Sequence, residues 1–328
     1  MTKLDLNFAC WGYDRMLPLA DGRVKPDGID LNFHDLEVEE TFFRQARFRE
    51  FDVSEMSLSS YTVSLFRENP PFIAIPVWPS RFFRHSCIYV NAKSGIKKPK
   101  DLIGRRIGVP EFQMTAPVWI RGILDEHYGV PVDSVTYHTG GEEEPGRIEK
   151  QKLDLPGNIK VTPIPEDRTL AQMLASGEID AFHTARMPST FDGKKVVRLF
   201  PDFVAEEKAY YKKTGIFPIM HTVVIRRDVY EKNRWIAQSL MKAFLKAQHL
   251  TYEMQRQTAA HAGMLPWHNA HVEEARDLMG DDYWPYGFEK NVATLQTFLE
   301  YHHQCGLSKR LLKPADLFAP ETLESFKI

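Results

Sequence analysis

The first part of the chain alternates strand-like and helix-like runs. Residues 4–10 (LDLNFAC) place an apolar side chain at every second position, which is typical of a strand with one buried face. Residues 28–37 repeat this pattern with Ile29, Leu31 and Phe33. The following runs predict strands at 51–57, 72–78 and 86–92 and helices at 39–49 and 57–69.

A second alternating unit follows. Strands are predicted at 105–110, 134–138, 178–184 and 220–228, and helices at 115–128 and 167–177. Gly177 suits the residue after a helix end, because glycine adopts the left-handed conformation at low cost. Residues 185–218 have less pattern, and from about Asn233 the chain is mostly helical.

Alternation of strands and helices predicts an α/β fold, with open sheets covered by helices. The simplest arrangement has two lobes joined by two crossing hinge strands, which are SCIYVN outward and HTVVIRR on return. Lobe 1 comprises residues 1–88 and 222–328, including the helical C-terminal part, and lobe 2 comprises residues 89–221. Ligands of open α/β sheets bind at the carboxyl ends of strands, so one cleft between hinged lobes is expected.

Composition narrows the function. The chain has 328 residues and a formal net charge of -2, which argues against nucleic acid as a partner. No apolar run approaches the roughly 18 residues of a membrane span. The first residues lack the features of a signal peptide, and three widely spaced cysteines disfavour a disulfide framework. A cytoplasmic protein is expected, although a chain trimmed of a leader would look the same.

Several phrases resemble a known family. DLIGRRIGVPEF (101–112), LASGEIDAF (174–182) and HTVVIRRD (221–228) resemble the type II periplasmic-binding-protein fold. Within that fold, the sequence resembles the 4,5-dihydroxyphthalate decarboxylase group. This resemblance is carried by FACWGYDR (8–15), EMSLSSY (55–61), VWPSRFFRHSCIYVN (77–91) and DDYWPYGFEKNVATLQTFLEYHHQCGL (281–307). The resemblance implies removal of one carboxylate from a dihydroxylated aromatic diacid, with no organic cofactor.

Such chemistry requires groups that hold a carboxylate, contact the ring and bind a phenol. Arginine suits the first role because its planar fork meets a carboxylate in two places. The end of a helix where backbone N–H groups are free also attracts a carboxylate. The predicted substrate-binding residues are Trp11, Tyr13, Arg15, Ser57, Ser59, Arg81, Arg84, Thr115 and Arg186.

The reaction also requires a proton donor aimed at a ring carbon. Histidine ionises near neutrality, and a carboxyl group with a raised pKa would serve as well. His183 is the first choice and His221 the second, because both stand at predicted strand ends facing the cleft; Glu111 and His85 are further candidates. Each of these residues has an alternative role: a lone histidine is more often structural than catalytic, and Glu111 could simply be a solvated loop carboxylate.

Other sites are not indicated. The histidines in residues 261–271 and at 302–303 lack metal-ligand spacing, so no metal is predicted. No phosphate-binding loop or dinucleotide fingerprint occurs. The expected partner is a small aromatic acid, with no nucleic acid, no membrane and a possible homo-oligomer. The alternative function is a non-catalytic binding protein for an aromatic or anionic solute in an ABC-type uptake system.

Overall fold

The computed structural model describes residues 3–150 and 153–324 and confirms the predicted α/β class. The strands are β1 (Leu4–Cys10), β2 (Ile29–Asp35), β3 (Val53–Ser57), β4 (Phe72–Ile75), β5 (Ile88–Asn91), β6 (Arg106–Val109), β7 (Thr136–Thr139), β8 (Lys160–Pro163), β9 (Ala181–His183), β10 (Val196–Arg198) and β11 (His221–Arg226). The helices are α1 (Leu17–Ala20), α2 (Val38–Phe48), α3 (Leu58–Ser64), α4 (Thr115–Tyr128), α5 (Leu170–Ser176), α6 (Phe203–Thr214), α7 (Arg227–Lys232), α8 (Trp235–Gln255), α9 (His268–Met279) and α10 (Val292–Gln304).

The first sheet has five strands in the order β2-β1-β3-β11-β4. Strands β1, β2 and β3 run parallel, whereas β11 enters late in the chain and lies antiparallel between β3 and β4. Because β11 is antiparallel, its first residue lies beside the carboxyl end of β3, and His221 is registered opposite Ser57. This pairing brings distant parts of the chain to one edge of the sheet.

The second sheet has six strands in the order β10-β5-β9-β6-β7-β8. Strands β6, β7, β8 and β9 are parallel, and β5 is antiparallel to β9 and β10. Between the two sheets, the outgoing and returning chain segments meet in an isolated bridge of Arg81 with Ile219. Strands β5 and β11 therefore belong to different sheets, and the chain crosses just before each of them.

The C-terminal part joins the two sheets. Helix α10 packs on α4, and Gly122 of α4 lies so close to the ring of Tyr301 that an added Cβ would overlap it. The Tyr301 hydroxyl also donates a hydrogen bond to Glu126. The boundaries of the two predicted lobes stay a prediction. Within the described ranges, none of the helices is both long and apolar enough to cross a membrane.

Candidate active site

A cavity of about 800 Å³ lies at the edge where the strands of both sheets end. It is bordered by the ends of β1, β3 and β9, the starts of β11 and α4, and the loops around residues 80–84, 147–150 and 284. Six arginine and lysine side chains line it against three glutamates, so the wall favours an anion. The charged lining residues are Arg15, Arg81, Arg84, Arg147, Lys150, Arg186, Glu37, Glu39 and Glu207.

The titratable pair that stands out in this wall is His221 with Glu55. His221 lines the cavity, and its Nδ1 lies 2.5 Å from Oε1 of Glu55, a fully buried carboxyl on β3. Nε2 of His221 has no hydrogen-bond partner in the described parts of the chain. A carboxylate that bonds one ring nitrogen fixes the tautomer and orientation of the ring, so the other nitrogen is set for proton transfer.

Glu55 stays ionised although it is buried. Burial by itself would raise the pKa of Glu55, but the His221 ring and the hydroxyl of Tyr13 hold that pKa below its usual value. Tyr13 donates to the same Oε1 at 2.8 Å, and the Trp11 N–H donates to Oε2 at 3.3 Å. Burial and the Glu55 charge in turn raise the pKa of Tyr13, which therefore remains a hydrogen-bond donor.

Arg81 is a buried cation without a carboxylate partner in the described ranges. Its Nη1 donates to Phe217 O at 2.8 Å, and its Nη2 donates to Pro285 O at 2.9 Å and to Oδ1 of Asn291. Burial lowers the pKa of Arg81 to about 9, so the guanidinium keeps its charge at pH 7. A buried charge compensated by neutral oxygens alone is costly, and an anion in the cavity would relieve that cost.

Arg84 also has no carboxylate within ion-pair distance among the described residues, although its charge acts on Glu207 in the same cavity wall. Its donors meet two sulfur atoms, Met220 Sδ at 3.1 Å and Cys87 Sγ at 3.5 Å, and one carbonyl, Ala185 O at 3.3 Å. No described residue accepts a hydrogen bond from its Nη2. Arg15 differs, because Asp14 pairs with it at 3.0 Å.

Arg15 also has aromatic support. Its guanidinium lies between the rings of Tyr13 and Trp284, at 4.1 Å and 4.3 Å from their centroids. Arg15 Nε donates to Pro79 O at 2.7 Å. These contacts hold the side chain at the cavity wall, beside the rings that Trp11 and Tyr13 place there.

Another part of the cavity wall is the start of helix α4. The helix begins at Thr115, and Met114 precedes it without a capping side chain. Thr115 Oγ1 lies 2.8 Å from Ser57 Oγ and accepts from the Ser59 N–H at 3.0 Å. Because Pro117 has no N–H, the free amides of the first turn are those of Thr115 and Ala116, which suit a carboxylate.

Two cations of the site have no signal in the sequence pattern. Arg147 Nη2 and Lys150 Nζ each lie 2.7 Å from Oε1 of Glu111. Arg147 also reaches Glu39 at 3.3 Å, and Arg186 reaches the same carboxylate at 3.4 Å. Glu39 on α2 is thus paired with cations that follow strands of the second sheet.

The structure places two of the predicted proton donors, His183 and His85, outside the lining of the cavity. His183 is 1% exposed, does not line the cavity, and has no partner for either ring nitrogen in the described ranges. Burial and the nearby charge of Arg121 lower the pKa of His183 to about 3, so it is neutral at pH 7. His85 is enclosed by Tyr128, Phe200 and Tyr210, and burial lowers its pKa to about 4.

Two further predicted residues are placed behind the wall. Glu111 is buried, and although burial would raise its pKa, the charges of Lys150 and Arg147 hold that pKa below its usual value. It therefore remains ionised and serves as their counterion. Ser59 is fully buried and contributes its backbone N–H to Thr115 rather than a hydroxyl to the cavity. The other predicted residues do line the cavity: Trp11, Tyr13, Arg15, Ser57, Arg81, Arg84, Thr115, Arg186 and His221.

The stability of the protein is predicted to depend on the ionisation of Glu142, which lies beside the cleft. Burial raises its pKa from 4.5 to about 7, although its Oε2 accepts from Thr184 Oγ1 at 2.7 Å. Because the native form binds the proton more tightly than the unfolded chain, stability falls as pH rises from 4.5 to 7. We expect Glu142→Gln to raise the free energy of unfolding by about 1–2 kcal/mol at pH 8, after discounting for partial exposure, and to change little at pH 4. Urea unfolding at both pH values measures this, and an equal effect at both would contradict it.

Comparison with solved structures shows which fold the chain has. The chain superimposes with a TM-score of 0.54 on the putative periplasmic sulfonate-binding protein SsuA of Methylobacillus flagellatus KT, at 15% identity and covering 98% of this chain and 92% of that one. A ligand-binding component of an ABC-type import system from Staphylococcus aureus gives 0.51 at 11% identity, covering 98% of both chains. The fold is that of the periplasmic binding proteins, with a cationic cleft between its two sheets.

Comparison with known protein sequences shows the family to which the chain belongs. The chain is 45% identical over 330 residues to the 4,5-dihydroxyphthalate decarboxylase of Comamonas testosteroni, and the match covers 100% of both chains. It is also 49% identical over 191 residues to the enzyme of that name from Pseudomonas putida, covering 58% of this chain and 74% of that one. No family model matches the chain. The protein belongs to the 4,5-dihydroxyphthalate decarboxylase family.

Proposed function

We propose that this protein decarboxylates 4,5-dihydroxyphthalate, or a closely similar dihydroxylated aromatic diacid, to a dihydroxybenzoate and carbon dioxide. The observation that carries this proposal is the placement of His221, bonded to buried Glu55, in the same cavity as two arginines without carboxylate partners in the described ranges. A planar dianion supplies the missing negative charge, and the histidine supplies a proton.

The chemistry follows from that arrangement. Protonated His221 gives its Nε2 proton to the ring carbon that bears the departing carboxylate, while the negative charge of Glu55 stabilises the imidazolium. A hydroxyl para to that carbon stabilises the protonated ring. The carbon–carbon bond then breaks, its electron pair returns to the ring, and carbon dioxide leaves. One proton is consumed in each turnover, and His221 regains it from solvent.

The arginines account for binding. We assign the retained carboxylate to Arg81 and Arg84, whose hydrogen-bond acceptors among the described residues are all neutral groups. The departing carboxylate must lose its charge as it becomes carbon dioxide, so tight pairing there would oppose reaction. Trp11 and Tyr13 are available to contact the ring.

The direct test is incubation of the pure protein with 4,5-dihydroxyphthalate, following carbon dioxide and the monoacid product. Phthalate, which lacks the para hydroxyl, is expected to bind without reacting. Saturable binding of 4,5-dihydroxyphthalate without any product would reject the proposed reaction and leave the uptake-receptor function as the explanation of the cleft.

Replacing Arg84 with glutamine tests whether this residue binds the retained carboxylate. We expect KM for the diacid to rise roughly 10- to 100-fold while kcat falls less, because the arginine holds a carboxylate that persists through the reaction. Steady-state kinetics measure both constants. Arg168→Gln is the matched control, since Arg168 pairs with Glu178 away from the cavity. An unchanged KM in Arg84→Gln would show that Arg84 does not bind the substrate carboxylate.

We also propose that lobes 1–88 with 222–328 and 89–221 close around the substrate. The pairing of Glu39 on α2 with Arg147 and Arg186 supports this, because all three residues line the cavity and the pairs connect elements of the two lobes. Small-angle scattering with and without phthalate tests closure.

A cytoplasmic location is proposed as well, supported by three buried free cysteines, Cys10, Cys87 and Cys305. Cell fractionation tests that location.

A further inference from the structure

The segment from Trp284 to Asn291 supplies two hydrogen-bond acceptors to the guanidinium of Arg81. Nη2 of Arg81 donates to both Pro285 O, at 2.9 Å, and Oδ1 of Asn291. The amide nitrogen of Asn291 donates to Pro285 O at 2.9 Å and to Gly287 O at 2.7 Å. Since Nδ2 is used by two carbonyl acceptors, Oδ1 is the atom that faces Arg81, and the amide has one orientation.

The same segment is anchored to the first sheet. Trp284 Nε1 donates to Trp78 O at 2.9 Å, and the Gly287 N–H donates to Pro76 O at 2.9 Å. Gly287 has φ of 94°, a left-handed conformation that favours glycine. Asn291 itself is 1% exposed and does not line the cavity. Its contact with the site therefore runs through Arg81.

The chemical nature of the residue at position 291 matters because Arg81 is buried. An aspartate there would still accept a hydrogen bond from the guanidinium, but it would neutralise the charge, as buried arginine–carboxylate pairs do. It would also lose the two hydrogen bonds that the Asn291 amide donates to Pro285 O and Gly287 O. An amide oxygen fixes the guanidinium and leaves its positive charge for a ligand. Each of the other two acceptors, Phe217 O and Pro285 O, is likewise a neutral carbonyl.

We infer that Asn291 is a positioning residue for anion recognition: it holds Arg81 in place with a neutral acceptor, so that the guanidinium charge is reserved for a carboxylate of the ligand. This inference rests on the proposed function, whose retained carboxylate it assigns to Arg81. It gives the WPYGFEKN phrase a role, because the phrase supplies two of the three acceptors of Arg81.

The test compares a charged and a neutral ligand. Calorimetry measures the binding of phthalate and of catechol to the unmodified protein, to Asn291→Asp and to Asn233→Asp. Asn233, just after α7 and outside the cavity, is the matched control for the same change. Asn291→Asp is expected to weaken phthalate binding roughly 30-fold or more. Catechol binding is expected to change less than about threefold, because catechol has no carboxylate.

A second variant guards against misfolding of the first. Asn291→Ala leaves Arg81 charged but less constrained, so we expect phthalate binding to weaken roughly 3- to 10-fold, again with little change for catechol. Melting temperatures are recorded for every variant. If either folded variant binds phthalate as tightly as the unmodified protein, or loses phthalate and catechol equally, Asn291 is merely structural and the inference fails.

The outcome is separable from the test of the reaction. A protein that binds phthalate selectively through Asn291 and Arg81, but releases no carbon dioxide from 4,5-dihydroxyphthalate, would overturn the proposed reaction and keep this inference. A working decarboxylase whose Asn291→Asp variant keeps full phthalate affinity would do the reverse. Lack of any phthalate binding by the unmodified protein would overturn the inference directly.

Discussion

Replacing His221 with glutamine is expected to lower kcat roughly 10²- to 10⁴-fold, the range associated with loss of a general acid. Glutamine keeps a polar group beside Glu55 but has no proton to transfer at neutral pH. KM is expected to change little, because Arg81 and Arg84 hold the substrate independently of the ring. Release of carbon dioxide at saturating 4,5-dihydroxyphthalate gives kcat, and calorimetric melting shows whether the variant is folded.

His249→Gln is the matched control for His221→Gln. His249 lies on the exposed face of α8, where its Nε2 is 3.3 Å from Oε1 of Glu253 on the same helix, and it does not line the cavity. The control variant is expected to retain full activity. If His221→Gln keeps more than about a tenth of the original kcat, the proton comes from another group and the assignment of His221 is wrong.

Much of the cavity wall could be predicted from the sequence because parallel strands end at one edge of a sheet. Trp11, Tyr13 and Arg15 follow β1, and Ser57 ends β3, so their positions follow from local pattern alone. The loop carrying Arg81 and Arg84 follows the same logic, since it precedes the crossing into the second sheet.

The orientation of His183 could not be predicted in this way. It ends β9, all three residues of which are buried, and α4 and α5 both pack against this strand. In a strand covered on both faces, alternation does not show which side chain points to the cleft. The residues that do reach the cavity, Ala185 and Arg186, come just after the strand.

The partnership of Glu55 with His221 depends on pairing across the chain. The two residues are 166 positions apart and meet because β11 inserts antiparallel beside β3. No local pattern specifies such a pairing. Arg147 and Lys150 were missed for a different reason: they lie in a loop rich in glycine and glutamate, without helical or strand periodicity.

Replacing Glu55 with glutamine is the second change with a large expected effect, a fall in kcat of roughly 10²- to 10³-fold. Glutamine removes the negative charge that stabilises the His221 imidazolium. Its amide can also turn a donor toward Nδ1, which opposes protonation of that nitrogen and so disfavours the imidazolium that gives up the Nε2 proton. Steady-state release of carbon dioxide measures the loss. Tyr13→Phe is the matched comparison, because it removes one donor to the same Oε1 while keeping the carboxylate, and a fall of less than about tenfold is expected.

Stability must be measured beside activity, because Glu55 is fully buried. Its native pKa lies below the ordinary 4.5, so its ionised form stabilises the fold above pH 4.5, and that contribution is lost as pH falls through the native pKa. Glu55→Gln is therefore expected to be less stable than the unmodified protein at pH 7, with the difference shrinking below pH 4.5. Urea unfolding across this range measures it. A folded Glu55→Gln variant with unchanged kcat would show that the carboxylate supports the fold alone, and the proton-transfer role of the pair would then be rejected.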